Sequence, residues 1–180
     1  LPSPDSAAAR YDHINRLHWR DDTGNRMHGT LTDTLLVQQV DHYNLPLIRQ
    51  FYKKNGMRAQ APKNELIYSA RLQQQTAQPL VAALRLSPLV DDYLVRSMCV
   101  AAEQRRQVFG QQFLQALQPI LSTHKVYCFP FSHLLNFYQQ ANFALIATED
   151  APPDIADKFL RYLNNGKDIC LMQHQPHMLK

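Results

Sequence analysis

The segment Val100–Leu117, VAAEQRRQVFGQQFLQAL, constrains this chain more than any other stretch. An apolar run ends at Met98-Cys99-Val100, a short polar bend carries Arg105, Arg106 and Gly110, and a helix-patterned run starts at once. A strand that passes so abruptly into a helix leaves the helix N-terminus open at the strand's end. The first turn of a helix has about four N–H groups without internal partners and carries partial positive charge. An anion placed there satisfies those donors. Gly110 removes a side chain where a ligand would approach the backbone, and Arg105 and Arg106 add cationic charge beside it. The bend therefore reads as a phosphate site, with a plain strand-to-helix turn and solvated arginines as the alternative that spacing leaves open.

The bulk properties agree with a protein that binds a small anion. Residues 34–180 of the 180-residue chain read as one domain with a real core, and residues 1–33 as a polar extension whose role is not legible. Within it, SAAARYDHINRLHWRDD patterns as one helix. A content of 45% hydrophobic and 19% charged residues is that of a globular domain. No apolar run approaches the ~20 residues of a membrane helix, and no signal peptide is visible. Cys99, Cys128 and Cys170 are far apart in apolar runs, which predicts buried thiols in a reducing cytoplasm. A net charge of +4 is too small and scattered for nucleic acid. HQPH, with His174 and His177, has no third ligand nearby, so no metal is expected.

Periodicity predicts a strand over Thr34–Val40 and a helix over Tyr43–Gly56, with Leu47, Ile48, Phe51 and Tyr52 on its apolar face. Strands follow at Glu65–Leu72, Pro79–Leu89 and Asp91–Val100, joined by short, antiparallel-type connections. A helix runs from the bend through Leu121, and Lys125–Phe131 is a strand. Ser132–Phe143 is a short helix capped by Ser132, Pro152–Gly166 a further helix, and Lys167–Gln173 the last strand. The class is α+β, and the strand–helix–strand step from Asp91 to Phe131 predicts one parallel pair in an otherwise antiparallel sheet.

The bend and this order of elements together resemble the GNAT superfamily of acyl-CoA-dependent N-acetyltransferases. The family's central signature is a strand ending in an apolar triplet, a loop Arg/Gln-x-x-Gly-x-Gly/Ala, and a long helix. It is matched by Met98-Cys99-Val100 and then Arg105-Arg106-Gln107-Val108-Phe109-Gly110. A later signature, an aromatic-Tyr pair followed by Gly-Phe, is matched by Phe137-Tyr138 and Asn142-Phe143. The resemblance spans about Thr34 to Gln173.

The resemblance implies a mixed, mostly antiparallel sheet of six to seven strands flanked by helices, with a V-shaped splay between the two central parallel strands. It implies acetyl-CoA as co-substrate and a primary amine (small molecule, peptide N-terminus or lysine) as acceptor. It places the pantetheine arm along Met98, Cys99 and Val100, and the diphosphate on the loop from Arg105 through Arg106, Gln107, Val108, Phe109 and Gly110 to Gln111. Tyr138 would contact the cofactor and protonate the leaving thiolate. His133 is a candidate base, beside Glu65, Asp91, Asp92 and water. Val108 departs from the family's first loop glycine: its side chain could crowd the diphosphate, although a valine at helical angles still offers its N–H. Asn142 also replaces a glycine, but asparagine tolerates left-handed angles. A non-catalytic acyl-CoA sensor of the same fold, and an interaction protein whose extension contacts a partner or a second copy in a homodimer, are the other readings.

Overall fold

A computed structural model describes residues 35–73 and 76–176. The extension over residues 1–33, its expected helix, and His177 lie outside the described residues. The strands are β1 Leu35–Gln39, β2 Leu66–Leu72, β3 Leu80–Pro88, β4 Asp92–Val100, β5 Lys125–Cys128, β6 Phe143–Leu145 and β7 Met172–His174. They form one seven-stranded sheet in the order β1-β2-β3-β4-β5-β7-β6. Every neighbouring pair is antiparallel except β4 with β5, which is parallel as the crossover requires.

The helices are α1 Leu45–Lys54, α2 Phe109–Ala116, α3 Gln118–Leu121, α4 Leu135–Gln139 and α5 Pro153–Asn164. The helix expected through Leu121 is broken, because Pro119 has no N–H to continue the ladder. On α1 it is Leu45, with Ile48, Phe51 and Tyr52, that is buried; Leu47 is 44% exposed. The expected helix over Ser132–Phe143 ends at Gln139, and Asn142 then turns left-handed (φ 63°), releasing Phe143 into β6. β6 was not expected from the sequence. Nor does Ser132 cap a helix; its hydroxyl donates to Asp168 Oδ1 at 2.6 Å.

Helices α2 and α4 cover one face of the sheet, burying Phe113, Leu114, Leu117 and Tyr138 against Leu84, Val95 and Val126. On the other face α1 packs Ile48 and Tyr52 against Ile67, Ala83 and Cys99. Beside it α5 packs Ile155 and Phe159 against Leu94 and Tyr127. Among the described residues no helix is long and apolar enough to cross a membrane.

A polar network ties β6 and β7 to the α2–α3 corner. Gln118 Oε1 lies 2.8 Å from His174 Nε2 and accepts from Asn142 Nδ2 at 2.9 Å. His174 is 2% exposed, and burial lowers the pKa of its ring below the ordinary histidine value. The folded state therefore holds the neutral ring, whereas the unfolded chain takes up a proton near pH ~6.5. Stability from this site is intact above that pH and lost as pH falls toward the lower folded value. We expect the melting temperature of the wild type to drop between about pH 6.5 and 5, and the drop to be smaller in His174→Gln.

Candidate active site

The sheet opens where β4 and β5 part. Their parallel pairing runs from Asp92↔Lys125 to Val95↔Cys128 and stops there, while β4 continues to Val100. Beyond Cys128 the chain leans toward the β7 side: Cys170 N–H donates to Pro130 O at 3.0 Å, and Phe131 bridges to Ile169. β4 stays on β3, but with a register shift between Ala83 and Arg85 and with Ser97 left-handed (φ 53°). This bulge inserts one residue and reverses the facing of all that follows, so Val95, Met98 and Val100 pack toward one face. Ala101 N–H donates to Val81 O of β3 at 2.7 Å, so alternation turns the backbone groups of Val100 toward the gap.

The bend from Arg105 lies at the C-terminal end of β4, where the gap is widest. After a short 3-10 turn over Ala102–Gln104, Arg105 is extended and Arg106 left-handed (φ 61°), which curls successive amides in one direction. Among the described residues, no backbone carbonyl accepts from the N–H groups of Arg106 through Gln111; Gln112 is the first to bond, to Val108 O at 2.9 Å. No side chain caps α2. A run of unpartnered amides thus stands at the end of an open slot in the sheet, a geometry suited to a diphosphate with an extended arm.

No protein-family model matches the sequence, and no curated protein matches it. Solved structures do. The chain is similar to an acetyltransferase of the GNAT family from Staphylococcus aureus (TM-score 0.54, 12% identity, 78% of this chain and 98% of that one). It is similar to the ribosomal-protein-S18-alanine N-acetyltransferase from Escherichia coli (TM-score 0.56, 11% identity, 82% and 97%). A third is N-acetylglutamate synthase from Neisseria gonorrhoeae, complexed with coenzyme A and L-arginine (TM-score 0.59, 8% identity, 79% of this chain). This chain spans 33% of that synthase's length. The fold is the GNAT fold.

Within this GNAT fold the arginines of the bend do different things. Arg105 is a brace: its Nε donates to Val100 O (3.1 Å) and its Nη2 to Asn55 O (2.9 Å). Asn55 completes the brace, accepting from Ala102 N–H at 2.7 Å and donating to Phe51 O at 2.8 Å. Sequence reasoning gave Asn55 no role, since its partners Ala102 and Arg105 are about fifty residues away. Val100 O is thus already engaged by Arg105, leaving the Val100 N–H for a ligand. Arg106, Gln107 and Gln111 line the rim, the first two exposed, while Phe109 is buried against Leu72 and Val81.

At Val108 the backbone takes the helical option. The residue is 62% exposed, with helical angles that keep its N–H in line with its neighbours. Val108→Gly should therefore change acetyl-CoA affinity by no more than about twofold in a calorimetric titration, the scale of a surface change of ~0.5 kcal/mol. Gly110 also has a packing role that the sequence did not show. A Cβ there would meet Phe137 Cε2 at 3.1 Å and Val100 Cγ2 at 3.3 Å, so its lack of side chain lets α2 close onto α4. Gln111 Nε2 fastens the same contact, donating to Phe137 O at 2.7 Å.

Tyr138 sits on α4, edge-on to Phe137 (5.2 Å) and Phe143 (5.6 Å), and shares its apolar cluster with Val95 and Cys128, the pair at which the gap closes. It is 6% exposed, and burial pushes its phenol well above the ordinary tyrosine value. His133 is exposed and stacks on Phe131 at 5.8 Å. Of the acids, Glu65 is bound by Arg85 (3.2 Å) and Ser87, and Asp91 and Asp92 stand at the end of β4 remote from the gap.

Proposed function

We propose that this protein is an N-acetyltransferase that moves an acetyl group from acetyl-CoA to a primary amine. The observation that carries the reading is the run of unpartnered amides from Arg106 to Gln111 at the mouth of the gap between β4 and β5. Those amides hold the diphosphate, with Arg106 supplying charge from the rim. The pantetheine arm fills the place of a missing strand beside Met98, Cys99 and Val100. Solved N-acetyltransferase structures of similar fold that are complexed with coenzyme A support this assignment.

The chemistry is direct attack: a C–N bond forms at the thioester carbonyl and the C–S bond breaks. An amine of ordinary pKa ~10.4 must first lose a proton, and His133 or an ordered water takes it. Tyr138 donates to the leaving sulfur. Burial keeps its phenol protonated throughout the working pH range. The same dry surroundings raise the pKa of a thiolate formed there, so donor and acceptor stay matched. Free cysteines at Cys99, Cys128 and Cys170 support a cytoplasmic setting.

The test is thiol release from acetyl-CoA with a panel of amines, alongside thermal stabilisation by acetyl-CoA alone. Stabilisation with amine-dependent thiol release supports the reading. Stabilisation with no release from any amine would favour a coenzyme sensor instead.

A further inference from the structure

The far side of the gap, the face covered by α1 and α5, carries a half-buried cation, Arg96. Arg96 is the first residue of β4 beyond the last pair with β5, so it stands at the apex of the gap. It lies two residues from Leu94, which packs on α5, and in register with Arg85, which faces α1. Its Nη2 lies 3.2 Å from Tyr162 Oη of α5, and among the described residues it forms no salt bridge. Arg85, across the register, is different: it is buried with Glu65 at 3.2 Å and donates to Gln60 O at 2.6 Å. That pair is electrically closed. Arg96 therefore contributes net positive charge where the acceptor must enter.

A basic cavity lies on the Arg85 side of this pair. Gln60, which anchors Arg85, also lines a cavity of about 460 Å³ with Arg49, Lys53 and Arg58. A half-buried guanidinium bonded only to a neutral phenol is poorly compensated, and a carboxylate offers it two parallel hydrogen bonds. A polyamine or a lysine side chain would be repelled there.

We propose that Arg96, supported by Tyr162, binds the carboxylate of the acceptor, so that the preferred substrate is an amine carrying a carboxylate close to the reacting nitrogen, as in a free amino acid. This rests on the acetyl-transfer reading above. It requires the α5 segment, inserted between β6 and β7, to be part of the acceptor site.

The test compares matched acceptors, free amino acids against their carboxamides and against spermidine, by thiol release at saturating acetyl-CoA. The wild type should favour the free acid over its amide by about tenfold or more in kcat/KM, the scale of one charged hydrogen-bond pair. In Arg96→Gln that preference should vanish through a raised KM for the acid, with acetyl-CoA affinity unchanged. Arg96→Lys should recover part of it, and Tyr162→Phe should lose a smaller share. Equal use of acid and amide by the wild type, or equal loss of both in Arg96→Gln with acetyl-CoA still bound, overturns the carboxylate site and leaves acetyl transfer standing. Absence of acetyl-CoA binding by the wild type overturns both.

Discussion

Tyr138→Phe is expected to cut turnover by ~10²-fold or more while leaving acetyl-CoA affinity within about twofold. The ring, with its edge contacts to Phe137 and Phe143, is retained in phenylalanine, so packing of α4 changes little. Only the hydroxyl is lost, and with it the hydrogen bond to a sulfur that gains negative charge as the C–S bond breaks. Such a bond is worth more in the transition state than in the bound thioester, so kcat should fall and the coenzyme dissociation constant should not. Because burial holds the phenol protonated, the wild-type rate should rise with pH as the amine loses its proton, with no alkaline fall from Tyr138 up to about pH 10. The measurement is a kcat profile with calorimetric binding for both proteins. A variant with wild-type turnover would remove Tyr138 from the chemistry.

Gly110→Asp should abolish most coenzyme binding, by about a hundredfold or more. Two effects act together. The new Cβ lies 3.1 Å from Phe137 and 3.3 Å from Val100, so Phe137 must give by a few tenths of an ångström, and the carboxyl group beyond it needs further room between α2 and α4. The carboxylate then lies among the free amides of the α2 N-terminus, where it competes for donors and repels phosphate. Losing two charge-assisted bonds at ~1.5 kcal/mol each already accounts for that factor. Gly110→Ala separates the causes. It keeps the neutral charge and asks Phe137 to shift by a few tenths of an ångström, so it should weaken binding far less. Unchanged affinity in a folded Gly110→Asp protein would mean that the α2 N-terminus is not where the coenzyme's phosphates lie.

Much of the frame could be read in advance because it depends on local chemistry. An apolar strand, a polar bend, a helix and a second strand make a connection long enough for a parallel crossover, and β4 and β5 pair accordingly. Asn142 was expected to tolerate left-handed angles, and it adopts them. What could not be read depends on neighbours distant in sequence. β6 has only three residues, Phe143–Leu145, and exists because β7 pairs with it. The bulge at Ser97 leaves no signature in a serine, yet it decides which side chains of β4 face the gap.

The site shows the same division. The bend reads as an anion site from Arg105, Arg106 and Gly110, but their separate contacts were not legible in the sequence. Arg105 is committed to Asn55 and Val100, contacts spanning fifty residues of chain in the first case. Gly110 makes room for Phe137 on another helix. The direction of the Val108 side chain could not be read from the sequence; it stands exposed at the rim. Arg96 read as an ordinary strand residue until α5 was seen to lie beside it.

The central claim is physical: unpaired N–H groups at the start of α2 take hold of a diphosphate, and the slot beside them receives what is attached to it. Amide hydrogen exchange with and without saturating coenzyme A tests it at residue level. The slowest relative exchange on binding is predicted at Arg106 through Gln111, with further protection at Met98 and Val100 and none in the β3–β4 turn at residues 89–91. Binding that left the α2 amides exchanging at their free rate would contradict the account.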